Sequence, residues 1–363
     1  MKRLKRASVV VVVGCLVALN LMLVAPNAVG QQTTSDQHPR LSDPQKISRG
    51  QARRALDYWT PKRMANAKPM EMTSRGGPSA GGSPATERTG LRVESAPLSG
   101  RAPLSLFDTV VAGEDYWRYS TTAMPARAIG RLFYRTWNPY RRNFRDSSCT
   151  ATVVAAENRA TVWTAGHCVF NTYSNVWSKK YVFCPGYRDA NGIAWEGRDC
   201  PMGKWGVKYQ QTTPQWKNAV CDPDGRCSNP EFNHDFAALT MYPRNGYRIQ
   251  RITGSHVIRY NQTLGAHYLF GYPAVLNAWL PFDGRWLYWC WGDNTYEHFH
   301  LVMLCHASGG ASGGPWLGVW NTQGVAYLDT VNSHGGETHM HASYQGLSAQ
   351  RLYNKMRYQN PRY

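Results

Sequence analysis

Beyond about residue 128 the chain is a succession of short runs rich in Val, Tyr, Trp and Phe, each closed off by Gly, Pro, Asn or Asp. The runs at 151–155, 161–164, 181–184, 236–242, 267–271, 300–304, 316–320 and 324–328 are brief for helices, and β-branched and aromatic residues suit a pleated surface. So many short strands separated by turn residues predict an all-β sandwich or barrel. One stretch departs from this texture. Leu347, Leu352 and Met356 recur at helical spacing, with Arg351, Lys355 and Arg357 mostly on the rest of the wheel. They predict a helix over about 347–358, docked on the β domain. No internal repeat of fixed period stands out.

The 363 residues suffice for one large domain or two smaller ones. Residues 1–30 read as a secretory signal peptide: Lys2, Arg3, Lys5 and Arg6, an apolar run from Ala7 to Val24, then small residues near Ala28 or Gly30. The run is short for a bilayer span. After cleavage no stable membrane span is expected, and the protein would be secreted and extracellular. Residues 31–127 read as a low-complexity, basic pro-region or linker. Large apolar residues are scarce from 31 to about 105, and Arg75 to Pro84 is rich in Gly, Ser and Pro, so little can be buried there.

The net charge of +18 is spread out, with +5 on 31–127 and +9 on 128–363. It favours solubility and anionic surfaces such as a cell wall. A generally basic surface with no specific partner is the plainer reading. There is no dense Lys/Arg block and no nucleic-acid motif, so no nucleic-acid partner is expected. A monomer is expected.

Cys15 leaves with the signal. Cys149, Cys168, Cys184, Cys200, Cys221, Cys227, Cys290 and Cys305 remain. An even set in a secreted chain reads as disulfides, with sequence neighbours as the simplest pairs. A Cys149–Cys168 bridge would close a loop of about 20 residues, worth about 3 kcal/mol in the chain-entropy model. Zinc is discounted for want of a CxxC pair. His298 with His300, and His339 with His341, could each put two imidazoles on one strand face. No third ligand is evident, and no metal is expected. The tryptophans are spread over strand-like segments and read as core rather than as a sugar-binding face.

Two distant strings fit one reaction. Thr164-Ala165-Gly166-His167-Cys168 offers a base, and Gly309-Gly310-Ala311-Ser312-Gly313-Gly314-Pro315 offers a serine in a glycine-rich turn. A serine hydroxyl is a weak nucleophile until an adjacent base takes its proton. Attack on a carbonyl also needs backbone N–H groups aimed at the developing oxyanion. The imidazole in turn needs a carboxylate to fix its tautomer. Asp235 is the best candidate, because it opens the apolar run Phe236-Ala237-Ala238-Leu239, where a charge needs a partner. Asp222 and Asp224 lie between Cys221 and Cys227 and read as solvent-exposed. Ser308 also precedes two glycines, but lacks the Gly-Pro that follows Ser312-Gly313.

These strings resemble those of the trypsin/chymotrypsin superfamily of serine peptidases, and more narrowly the secreted bacterial V8 (glutamyl endopeptidase-like) type. Cys184-Pro185-Gly186-Tyr187-Arg188, followed by Pro201-Met202-Gly203-Lys204-Trp205, resembles a PGY…PxGxW stretch, and Gly271-Tyr272-Pro273 resembles a GYP strand end. The resemblance covers 128–363. It implies two perpendicular antiparallel β-barrels, about 128–245 and 246–345, with a cleft between them. It also implies a triad of His167, Asp235 and Ser312, with an oxyanion hole from the backbone N–H groups of Gly310 and Ser312. Asn332, Ser333, His334 and Gly335 would bind the substrate backbone as an added strand, and Ser333 would also bond Asp235.

The primary pocket is less plain. His306 lies six residues before Ser312, near the base of the pocket, where trypsin-like enzymes carry an Asp; Lys/Arg preference is not expected. Glutamate-specific relatives use a histidine on the later strand, where the alignment gives Asn332 with His334 offset. His306 could still meet an acidic side chain, or be satisfied within its own loop. Ala311 stands where trypsin-like zymogens have the Asp that pairs with a new N-terminus, so activation by N-terminal insertion is not expected. Residues 128–133 resemble the first peptidase strand. Residues 31–127 then read as a removable propeptide, an inhibitory or folding segment, or a linker. The expected activity is endopeptidase hydrolysis of protein or peptide substrates through an acyl-enzyme, with no cofactor. The alternative is an inactive homologue that serves as an extracellular or cell-wall binding module.

Overall fold

The short apolar runs become strands that close into two rings. The first ring comprises Ile129–Asn138 (β1), Asn143–Val153 (β2), Thr161–Thr164 (β3), Lys179–Pro185 (β4), Trp205–Thr212 (β5) and Ala237–Met241 (β6). They pair in the order β5-β4-β1-β2-β3-β6, and β6 returns to β5. The second ring comprises Ala266–Gly271 (β7), Tyr288–Glu297 (β8), His300–Leu304 (β9), Pro315–Trp320 (β10), Ala326–Gly335 (β11) and His339–Ala342 (β12). Its order is β11-β10-β7-β8-β9-β12, with β12 returning to β11. The same connectivity therefore occurs twice, each time as a closed barrel of six antiparallel strands. Closure leaves these strands no free edge.

The computed structural model describes residues 39–74, 93–94, 117–118, 123–188, 200–261, 264–275, 282–297, 300–336 and 338–361. The signal region, the 75–84 stretch and His298 lie outside them. No helix among the described residues is long and apolar enough to cross a membrane.

Each barrel has its own filling, and a third cluster joins them. Leu132, Val153, Val162, Phe183 and Leu239 lie inside the first, and Leu269, Leu301, Met303 and Trp316 inside the second. The seam holds Phe133, Trp163 and Phe236 from the first barrel and Phe270, Leu317, Leu328 and Val331 from the second. This is the burial that fixes one barrel against the other, so residues at the seam's edge are held in register from both sides. Arg131 is buried in the seam. It donates to the Ser148 hydroxyl at 2.9 Å and to the Gly284 carbonyl at 2.8 Å.

The C-terminal helix, Leu347–Met356, lies back on the first barrel. Its buried face is Ala349, Leu352, Tyr353 and Met356, and the Tyr353 hydroxyl donates to the Ala155 carbonyl at 2.6 Å. Leu347, expected on that face, is 37% exposed instead. It opens the helix, and burial begins with Ser348 and Ala349 next to it.

Residues 39–74 are more ordered than their composition suggests. A capping box of Ser48 and Gln51 starts the helix Arg49–Tyr58 (α1), and Thr60 caps Pro61–Ala65 (α2). A few well-placed apolar groups suffice to seat them. Trp59 is fully buried, 5.5 Å from the Phe133 ring, and its indole N–H donates to the Lys180 carbonyl. Met64 and Ala55 are buried in the same cluster, and Met72 is buried in the first barrel's own cluster.

The eight cysteines among the described residues pair as sequence neighbours: Cys149–Cys168, Cys184–Cys200, Cys221–Cys227 and Cys290–Cys305.

Candidate active site

His167 sits in a single 3-10 turn, Gly166–Cys168, just past the end of β3, and the disulfide from Cys168 ties this turn to β2. The turn is packed tightly. A Cβ on Gly166 would stand 2.7 Å from Cδ1 of Trp216 and 3.0 Å from Oδ1 of Asp235. Asp235 lies two residues before β6, and both its side chain and that of His167 are fully buried. Oδ1 of Asp235 accepts the His167 backbone N–H at 2.7 Å, and Oδ2 faces Nδ1 of His167 at 2.8 Å. Ser333 donates its hydroxyl to the same Oδ2 at 2.6 Å, and the Ser343 hydroxyl donates to the Asp235 carbonyl at 2.9 Å. A carboxylate only accepts, so Nδ1 carries the proton and Nε2 keeps its lone pair. Nε2 has no hydrogen-bond partner among the described residues.

The Ser312 turn is braced against this wall. Gly313 has φ +77°, and a Cβ there would lie 2.1 Å from Oγ1 of Thr164 and 2.4 Å from the Thr150 carbonyl oxygen. Only glycine allows so close an approach in that conformation. Thr150, on β2, works at three points. Its N–H donates to the Ser312 carbonyl at 2.8 Å, its hydroxyl donates to the Gly310 carbonyl at 2.8 Å, and the same oxygen accepts the Tyr272 N–H at 2.9 Å. From β11, the Asn332 carbonyl accepts the Gly313 N–H at 2.7 Å. The N–H groups of Gly310 and Ser312 make no backbone hydrogen bond among the described residues. Oγ of Ser312 lies 3.5 Å from the Ser333 carbonyl oxygen, a long contact that leaves the hydroxyl easy to redirect.

No protein-family model matches the chain, and no curated protein matches it. Solved structures do. The protease Anisep from Arthrobacter nicotinovorans is similar at 29% identity and a TM-score of 0.52, over 66% of this chain and 97% of that one. The thermostable serine protease AL20 from an extremophilic microorganism is similar at 29% identity and a TM-score of 0.53, over 65% and 99%.

The chain has the two-barrel, trypsin/chymotrypsin-like fold of these serine proteases.

In this peptidase fold the residues around Ser312 enclose a cavity of about 270 Å³, lined by Ala307, Ser308, Gly309, Asn332, His334 and Gly335 among others. His306, expected near the base of the pocket, is half-buried and is not among the lining residues. His334 is. It is 5% exposed and stacks on Phe232 at 3.8 Å, with His341 at 4.6 Å and His300 at 5.0 Å. Burial first, then the neighbouring imidazoles of His300, His341 and His167, holds His334 well below the usual imidazole range. Its ring is neutral at neutral pH, and its Nε2 lacks a partner among the described residues.

A second cavity of about 290 Å³ is lined by His167 together with Trp137, Tyr140, Phe170, Trp216 and Asp222. Asp222 and Asp224 stay in their solvent-facing turn, and Ser308 turns its hydroxyl toward the Val275 N–H at 3.2 Å. Cys149, His167 and Cys168 are the one convergent group of metal-type ligands among the described residues, and both sulfurs are committed to the disulfide.

Sequence reasoning missed Thr150, Ser343 and Phe232. A threonine inside an apolar run carries no mark of the turn it will brace, because the partners lie more than a hundred residues away.

Proposed function

We propose that the chain is a secreted serine endopeptidase that cuts peptide bonds through Ser312, His167 and Asp235. The observation that carries this reading is the His167 imidazole, gripped by Asp235 on one side and left with an unpartnered Nε2 on the other. Such a base takes the Ser312 proton during attack and hands it to the leaving amine, leaving an acyl-enzyme; a water activated by the same base then releases the acid. The Gly310 and Ser312 N–H groups receive the oxyanion. Asn332, Ser333, His334 and Gly335, at the end of β11, pair with the substrate backbone. No cofactor takes part. Secretion fits the four disulfides. Residues 128–363 form the peptidase domain in this reading, and 31–127 a separable N-terminal region.

The substrate side chain enters the cavity beside His334. A neutral imidazole in the wall, with Glu71 of the N-terminal segment as the one carboxylate among the cavity's lining residues, suits an acidic side chain better than a basic one once that segment is out of the way. An entering carboxylate supplies the charge that lets His334 take a proton. This agrees with the V8-type resemblance of the sequence.

A fluorophosphonate and a peptide library test the reading together. Labelling at Ser312 that is lost in Ser312→Ala and strongly reduced in His167→Ala, with cleavage after acidic residues, supports it. No labelling of correctly disulfide-bonded protein leaves the binding-module alternative.

A further inference from the structure

The chain itself supplies an occupant for this cleft. Pro69, Met70, Glu71 and Met72 line the cavity on the His167 side, and Glu71, Met72 and Thr73 line the cavity on the Ser312 side. The segment is held at both edges. Thr73 donates its N–H to the Gly225 carbonyl at 3.2 Å, and Thr73–Ser74 runs parallel to Arg226–Cys227 of the first barrel. On the second barrel's side Glu71 lies against the Ser312 loop: a Cβ on Gly309 would meet Cγ of Glu71 at 2.7 Å. Met72 is 5% exposed, packed into the first barrel's cluster.

The segment is also anchored upstream. Trp59 is sunk against Phe133, Tyr58 and Arg63 both bond Asp146, and Arg131 in the seam reaches the Ala67 carbonyl at 3.3 Å. Downstream, Val93–Glu94 pairs with Val257–Tyr260, and Trp117–Arg118 pairs with β8. The described pieces of the N-terminal region thus contact both halves of the molecule.

Behind it the Ser312 turn is already set. Thr150 holds the Gly310 and Ser312 carbonyls, and Ala311 is fully buried against Gly271, with no ion pair required to set the turn. Latency in this chain would therefore come from occupation of the cleft and not from a distorted site.

We propose that residues 69–74 are an intramolecular cover that blocks protein substrates until the N-terminal segment is displaced. This rests on the peptidase reading above. A tethered occupant acts at an effective concentration far above that of a free substrate. Only the fraction of molecules with the cover lifted accepts a protein.

The test starts from the full chain with a site-specific protease sequence inserted within 75–84. It is cut, and the N-terminal piece is removed by gel filtration. Casein cleavage should rise about 10- to 100-fold on removal, and a peptide of residues 39–74 added back should restore the low rate. Small diisopropyl fluorophosphate should label Ser312 in both forms. Equal casein rates with Ser312 labelled in both forms would overturn the proposal. Labelling in neither form would overturn the peptidase reading instead. If removal unfolds the barrels, Met72→Asp in the uncut chain decides. It expels the cover without touching the site, so casein cleavage should rise, and an unchanged rate counts against the proposal.

Discussion

Asp235 holds His167 at two points at once, taking its backbone N–H on one carboxylate oxygen and its Nδ1 on the other, at 2.7 and 2.8 Å. The backbone contact fixes the turn and the ring contact fixes the tautomer. Asp235→Asn keeps the shape but offers an N–H in place of one acceptor, favouring the wrong tautomer. The turnover number should fall about 10⁴-fold with little change in KM. Steady-state kinetics on a fluorogenic peptide, with circular dichroism to show an intact fold, check this.

Thr150 is a positioning residue, since its hydroxyl holds Gly310 while its chain belongs to the other barrel. Thr150→Val keeps the volume but leaves the Gly310 carbonyl and the Tyr272 N–H without their partner. Losing one oxyanion donor outright costs about 10²–10³ in rate, so a donor merely set loose should cost about tenfold in kcat. Thr150→Ser should recover most of it. A purely structural role would instead lower the melting temperature and leave kcat unchanged.

His256 makes acid a threat to the fold. It is buried, the Ala326 N–H donates to its Nδ1 at 3.0 Å, and its Nε2 meets the Pro125 carbonyl at 3.0 Å, so the neutral ring is the one that fits. Burial pushes its pKa down to about 4 from an ordinary 6.5. Below pH 6.5 the unfolded chain binds a proton that the folded chain refuses. The stability from this residue is therefore full above about pH 6.5 and drains away as the pH falls toward 4, by up to about 3 kcal/mol. Urea unfolding of a Ser312→Ala background at pH 7 and pH 4.5 should show a smaller drop when His256→Gln is added.

Asp329 carries a second buried charge cluster. It bonds Arg259 through both oxygens and meets Nε2 of His267 at 3.0 Å, all three side chains being nearly inaccessible. Asp329→Ala strands a buried guanidinium and should cost about 3–5 kcal/mol. Because Asp329 lies on β11, upstream of Asn332 and Ser333, weaker peptide binding should accompany the loss. Denaturant unfolding and KM measurements read the two effects.

The parts of this fold that local chemistry dictates were legible before the fold was seen. The run at 161–164 is the observed strand to the residue, and Asp235, two residues before its strand, is buried and paired with His167. What escaped was set by distant partners. Leu347 has the helical spacing but no surface to cover. Of the two histidines named from the sequence, His334 lines the cavity, stacked on Phe232, and His306 does not. Residues 39–74 look too polar to dock, yet a few apolar groups, Ala55, Trp59, Met64 and Met72 among them, find receptive sites on the barrel wall.

The most direct test of the account is the identity of the residue modified by diisopropyl fluorophosphate in the disulfide-intact chain, read by peptide mass spectrometry. A single adduct is expected, on Ser312, forming far more slowly in His167→Ala. An adduct at another residue, or none, would contradict it.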